Sequence, residues 1–188
     1  MIVSKDELRK RLRSQRKYLQ PVLGGRAGLK LVDHAVSHID CKQGLIVAGY
    51  WPIGSEMDPR PLMLALHDKG ACLALPVVKA VGEPLAFRAF DFDDALAPGI
   101  MGTPEPTTSK PLLDPDLLLV PLLGFDRMGL RLGQGGGFYD RTLEAIRAKR
   151  KITAIGIAFA AQEVASLPFL AHDQKLDAIV TEQGYIQI

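Results

Sequence analysis

Arg131-Leu132-Gly133-Gln134-Gly135-Gly136-Gly137-Phe138-Tyr139-Asp140-Arg141 follows an apolar run, Leu117 to Val120, and leads into a helix-like segment, Thr142 to Ile146. A buried strand, a glycine loop, then a helix is the rhythm of an α/β protein. Four glycines in five positions, 133 to 137, have no Cβ to oppose left-handed conformations, so their amide N–H groups can turn inward around an anion. The helix that follows adds amides that lack internal partners. Glycine clusters are also common as plain turns or linkers. Here the flanks, Arg131 on one side and Asp140 and Arg141 beside Phe138 and Tyr139 on the other, favour groups fixed around something charged. The loop has no Gly-Lys-Ser/Thr ending, and Phe138 stands where a dinucleotide fingerprint needs its third glycine. It outlines a phosphate site of another plan.

Working outward, Leu45 to Trp51 is β-prone and runs into the loop Pro52 to Asp58. Asp58 can then cap a helix that has Pro59 and Pro61 in its first turn and Gly70 past its end. Cys72 to Val78 and Leu85 to Phe90 read as further strands, Asp91 to Asp116 as a long Pro-rich connection without regular structure, and Thr153 to Ala158 and Asp177 to Thr181 as the last strands. Continuous apolar strands alternating with helices predict an open, largely parallel sheet with helices on both faces. With 188 residues, a single domain over 1–188 is expected. Ligands of such sheets sit beyond the carboxyl ends of the strands, so the loops after Tyr50 and Val120 fall at one edge.

At the amino end, Ser4 with Glu7 forms a capping box ahead of Leu8, Leu12 and Leu19 at helical spacing. Seven cations, Lys5, Arg9, Lys10, Arg11, Arg13, Arg16 and Lys17, face two acids, Asp6 and Glu7, a pattern that reads first as a solvated face. Pro21, Gly24 and Gly25 predict a break, and a second helix carries Leu29, Val32, Val36 and Ile39. His34 and His38 lie one turn apart there, but no acidic third ligand accompanies them, so they are not read as a metal pair. Composition is that of an ordinary globular protein, 47% hydrophobic and 23% charged with a net charge of +2, which argues against disorder and against a nucleic-acid partner. No apolar run is long enough to span a membrane. The charged start, Met1 to Arg13, lacks a signal-peptide core, so a cytoplasmic location is expected. Cys41 and Cys72 are expected to be buried free thiols, and a monomer is expected.

The segment Pro121 to Asp126, then Gly129, then Arg131 to Arg141 resembles the signature of the 5-formyltetrahydrofolate cyclo-ligases, the methenyltetrahydrofolate synthetases. The basic helix Lys5 to Arg13 and the stretch Trp51-Pro52-Ile53-Gly54-Ser55-Glu56-Met57-Asp58 fit the same family in order and spacing. The resemblance implies a magnesium-dependent ligase that uses ATP to close 5-formyltetrahydrofolate, with or without a polyglutamate tail, to 5,10-methenyltetrahydrofolate. It implies ATP contacts from Lys5, Asp6, Glu7, Leu8 and Arg9 and from Arg131, Leu132, Gly133, Gln134, Gly135, Gly136, Gly137, Phe138 and Tyr139. Folate contacts would come from Trp51, Glu56 and Gln134 to Phe138, magnesium ligands from Asp140 and Asp173, and catalytic groups from Arg131, Gln134 and Tyr139. Departures from the pattern are Gln134 in place of a larger or basic residue, Gly136 in place of a lysine and Phe138 in place of a tyrosine. A glycine-rich anion loop alone also suits a sugar-phosphate isomerase or an acyl-transfer protein of similar architecture, and the basic first helix suits an RNA-binding relative.

Overall fold

The computed structural model describes residues 4–188; of the charged amino-terminal stretch, Met1, Ile2 and Val3 lie outside the described residues. The chain begins with α1 (Lys5–Ala35), then β1 (Ile46–Ala48), α2 (Arg60–Asp68), β2 (Cys72–Val77), β3 (Ala86–Ala89), β4 (Leu96–Pro98) and β5 (Pro104–Pro106). It continues through β6 (Leu117–Pro121), β7 (Gly124–Phe125), β8 (Arg131–Leu132), α3 (Phe138–Arg147), β9 (Thr153–Ile157), β10 (Ala178–Thr181) and β11 (Gly184–Gln187). Seven strands form one sheet in the order β11-β10-β9-β6-β1-β2-β3. The central pairs are parallel and only the two edges, β3 and β11, run antiparallel. No helix among the described residues is long and apolar enough to cross a membrane.

Helices cover both faces, as the uniformly apolar strands require. On one face α1 and α2 close over Val47, Leu73, Leu75, Leu117, Leu119, Ile155 and Val180. On the other, Leu143 of α3 packs with Ala48, Ala74, Leu118, Val120, Ala154 and Ile179. Neighbouring strand residues alternate between these two clusters, so each strand is buried from both sides. The chain steps from β1 to β2 on one side and later inserts β6 on the other, which makes the β1/β6 boundary the topological switch point of the sheet. Loops leaving there diverge and open a crevice.

Several expectations are corrected. The first two predicted helices are one helix, with Pro21 inside it. Its buried residues, Leu8, Leu12 and Arg16 before Pro21 and Ala27, Gly28, Leu31 and Ala35 after it, hold both halves against the body of the protein, and packing overrides the proline and glycines. The connection from Asp91 to Asp116 contains the β4–β5 hairpin, and a second hairpin, β7–β8, separates β6 from the glycine loop. Strand β11 was not anticipated, because its edge residues are half exposed and lack an apolar run. Asp58 assists the start of α2 by accepting the Arg60 amide at 3.0 Å, while Pro59 occupies the cap position. Cys41 is half-buried but Cys72 is exposed, since it opens β2 at the end where the strand leaves the core.

Candidate functional site

The carboxyl ends of β1 and β6 carry Tyr50, Trp51, Pro121 and Leu122 to the walls of a cavity of about 680 Å³. The whole glycine loop lines it, together with Lys5 and Arg9 of α1, Glu56, Tyr139, Asp140, Arg141 and Asp173. Segments far apart in the chain thus meet where the sheet topology opens the crevice.

Local chemistry sets the loop's orientation. Gly135 and Gly137 have φ of +110° and +66°, a backbone conformation that opposes side chains at both positions. Carbonyl groups of the loop are taken up by arginines. Arg9 Nε donates to Gly133 O at 3.1 Å and Arg141 Nη2 to Gly136 O at 2.6 Å. Among the described residues, no protein group accepts a hydrogen bond from the amides of Gly133 through Asp140. Gly137 caps α3 without a side-chain acceptor, so the helix presents free N–H groups and the positive end of its dipole.

Arg131, with its side chain only 4% exposed, pairs with Asp140 at 2.7 Å and also donates to Gln174 O. Burial lowers its pKa, and Asp140 opposes that shift. Asp140 also accepts the Gln174 amide at 2.9 Å. Lys5 reaches Asp173 at 2.6 Å, and Asp173 accepts the Leu170 amide at 2.8 Å. Burial raises the Asp173 pKa, but Lys5, the Leu170 amide and His172 together outweigh it and hold the carboxyl below its usual value. All these bonds fall on Oδ1 of Asp140 and on Oδ2 of Asp173, so the second oxygen of each is not drawn into them. No group of three or more His, Cys, Asp or Glu gathers as a metal cluster among the described residues.

On the opposite wall, Trp51 packs edge-on to Phe90, with ring centroids 6.0 Å apart, and lies under the Arg60 guanidinium at 4.8 Å. It is half-buried, with one part in the core and the rest on the cavity. Glu56, whose side chain is 10% exposed, accepts the Ile53 amide at 3.1 Å. Burial raises its pKa above the usual carboxylate value, and that amide, Arg16 and the Gln134 carboxamide offset the shift only in part. Tyr139 is half-buried against the core, and burial of its hydroxyl, with Glu56 assisting and Arg131 opposing, pushes that hydroxyl well above the usual phenol range. It therefore stays protonated and serves as a donor.

Of the residues singled out in the sequence, Lys5, Arg9, Trp51, Glu56, Arg131 through Asp140 and Asp173 come together around the cavity. Asp6, Glu7 and Leu8 do not line it. Asp6 is exposed and pairs with Arg9, Glu7 completes the capping box with Ser4, and Leu8 is buried with Leu12, Leu123, Leu132 and Leu167. Arg16 departs from the expected solvated face: it is 4% exposed. Sequence reasoning also passed over Tyr50, whose buried hydroxyl donates to Met57 O at 2.6 Å and closes the loop that carries Glu56.

An open α/β sheet with a cavity at its switch point, a glycine loop on one wall and an acidic, aromatic wall opposite, has the layout of an α/β enzyme site. The family model that matches residues 1–182 is the 5-formyltetrahydrofolate cyclo-ligase family, and the chain belongs to that family of enzymes. The 5-formyltetrahydrofolate cyclo-ligase of Haemophilus influenzae is 31% identical over 169 residues, covering 87% of this chain and 90% of its own. The Escherichia coli K12 protein of the same name is 31% identical over 175 residues, covering 90% and 96%. Among solved structures, the 5,10-methenyltetrahydrofolate synthetase of Aquifex aeolicus superposes with a TM-score of 0.79 at 30% identity, covering 97% of this chain and 92% of that one.

Proposed function

We propose that the protein cyclises 5-formyltetrahydrofolate to 5,10-methenyltetrahydrofolate at the expense of ATP, releasing ADP and phosphate through a phosphorylated formyl oxygen. The observation that carries this reading is the row of amides from Gly133 to Asp140 without a protein acceptor among the described residues, in a segment that lines the same cavity as Trp51 and Glu56. A formamide oxygen does not leave unaided. Attack of that oxygen on the γ-phosphorus expels ADP; the second folate nitrogen then adds to the activated carbon, loses its proton, and the C–O bond to phosphate breaks.

The protein's own task is positioning and charge neutralisation. The loop amides and the α3 N-terminus bind the phosphate oxygens, and Lys5, Arg9 and Arg131 supply positive charge around them. Trp51 packs on the flat pterin, Glu56 accepts from its amino and ring N–H groups, and Gln134 and Tyr139 stand between the two substrates. Asp140 and Asp173 fit magnesium, a hard cation that takes one or two carboxylates and draws its other ligands from phosphate and water, because each keeps an oxygen outside its hydrogen bonds, with only His172 at 3.9 Å from that of Asp173. When bound, magnesium adds positive charge at the transferred phosphoryl group. The folate is taken with or without a polyglutamate tail.

The test mixes purified protein with 5-formyltetrahydrofolate and Mg-ATP and follows methenyl absorbance together with ADP. Equal amounts of both products are expected. ADP without the methenyl product, or no turnover by folded protein, contradicts the proposal.

A further inference from the structure

We infer that Arg16, a residue of α1 outside the phosphate loop, is a positioning residue for the folate half of the site: it sets its charge beside Glu56 and anchors the loop that carries that carboxylate into the cavity. The inference rests on the folate reading above, because it gives Glu56 its task.

Arg16 lies on the inner face of α1, one turn beyond Leu12 and two beyond Leu8, and is buried like them. Its guanidinium ties three segments together. Nε donates to Ser55 Oγ at 3.2 Å, next to Glu56 in the loop after β1. Nη1 donates to Leu122 O at 3.1 Å, just past the end of β6, and stands 3.8 Å from Glu56 Oε1. These are the two strand ends that flank the switch point, so a single cation bridges both lips of the crevice and the helix beneath. Leu122 O is also held by Gln162 Nε2 at 2.9 Å, which fixes the far anchor.

The 3.8 Å separation is an ion pair without a close hydrogen bond. It leaves the carboxylate's acceptor capacity for other donors: Oε2 takes the Ile53 amide, and Oε1 feels the guanidinium charge at 3.8 Å while the Gln134 carboxamide stands near the same carboxylate. A buried carboxylate without a nearby cation tends to take up a proton and lose its power to accept from two N–H groups. The charged and titratable groups around Glu56 are Arg16 and, behind it, Arg13 from α1, Tyr50 from the end of β1, Asp58 from its own loop, and Tyr139 from α3, with the Gln134 carboxamide from the glycine loop. Of these only Arg16 is both cationic and close. Arg13 is instead engaged with Gln134 Oε1 at 2.8 Å.

The test reads binding through Trp51, the only tryptophan of the chain. Fluorescence quenching by 5-formyltetrahydrofolate is titrated against pH for wild type, R16K, R16Q, E56Q and R16Q/E56Q, with the KM for ATP measured alongside. Binding by wild type weakens as acid protonates Glu56. In R16Q that weakening moves upward by about one pH unit or more, whereas R16K, which keeps the charge, stays near wild type; the KM for ATP changes little in either. E56Q loses the acid limb, and adding R16Q to it weakens folate binding no further. The double variant also removes both buried charges, which guards against failure to fold. An acid limb unmoved in R16Q, equal loss of folate and ATP affinity, or additive losses in the double variant would overturn the inference and leave Arg16 a packing residue. If wild type itself neither binds nor cyclises 5-formyltetrahydrofolate, the folate reading fails instead, and the two failures are thereby told apart.

Discussion

Arg131 illustrates how one side chain can be fixed by the fold at the wall of a candidate site. It is nearly inaccessible to solvent and already bonded to Asp140 and Gln174 O, so its charge is fixed beside the loop before any nucleotide arrives. Replacing it with alanine removes a charged hydrogen bond, on the order of 1.5 to 3 kcal/mol, and leaves Asp140 without its cation. Arg131→Ala is expected to lower the melting temperature of the free protein and to shrink the further rise produced by Mg-ATP. A variant with a full Mg-ATP response would show that Arg131 acts on the fold alone. Residue identity made this group legible from sequence, because arginine beside a glycine cluster has a chemical reading. Arg16 was not legible in that way: lost among seven cations, it looked solvated. The signal was its spacing, for Leu8, Leu12 and Arg16 share one helical face, and a charge on an apolar stripe must find partners.

Secondary-structure elements follow sequence pattern where burial is uniform and depart from it where tertiary packing decides. The parallel strands announced themselves as apolar runs, since both their faces are covered, and the two motif loops fell at one sheet edge as the α/β rule requires. The short hairpins and β11 did not, because two- to four-residue strands carry too little pattern to separate from loop. Helix α1 is the clearest case of packing over propensity. Pro21 withholds an amide and crowds the preceding turn, yet the helix runs through to Ala35. Proline in a helix interior costs about 3 kcal/mol relative to alanine. Pro21→Ala is therefore expected to raise unfolding free energy by about 1 to 3 kcal/mol in a denaturant titration. No gain would mean that the helix is bent there to relieve the strain, so that straightening it disturbs the packing on either side.

For the molecule as a whole, the site depends on ties between sequence-distant parts: Lys5 at the start of α1 with Asp173 near the other end of the chain, and Arg9 with the glycine loop. The Asp173 pKa lies below its ordinary 3.8. Its contribution to stability is fully present above that ordinary value and is lost as pH falls through the lower folded value. Acid unfolding of the wild type should accordingly include a component that Asp173→Asn lacks, seen as a smaller loss of melting temperature in the variant as pH falls below the ordinary value of 3.8; identical acid profiles would exclude the tie as a contributor. The central claim, that the main-chain nitrogens from Gly133 to Asp140 bind the phosphates of ATP, is tested most directly by amide resonances of labelled protein titrated with Mg-ATP. The account predicts saturable downfield shifts of those amide protons while the β11 edge stays unchanged. Saturation of the protein with Mg-ATP, confirmed by its thermal stabilisation, with the amides of Gly133 to Asp140 unmoved would contradict it.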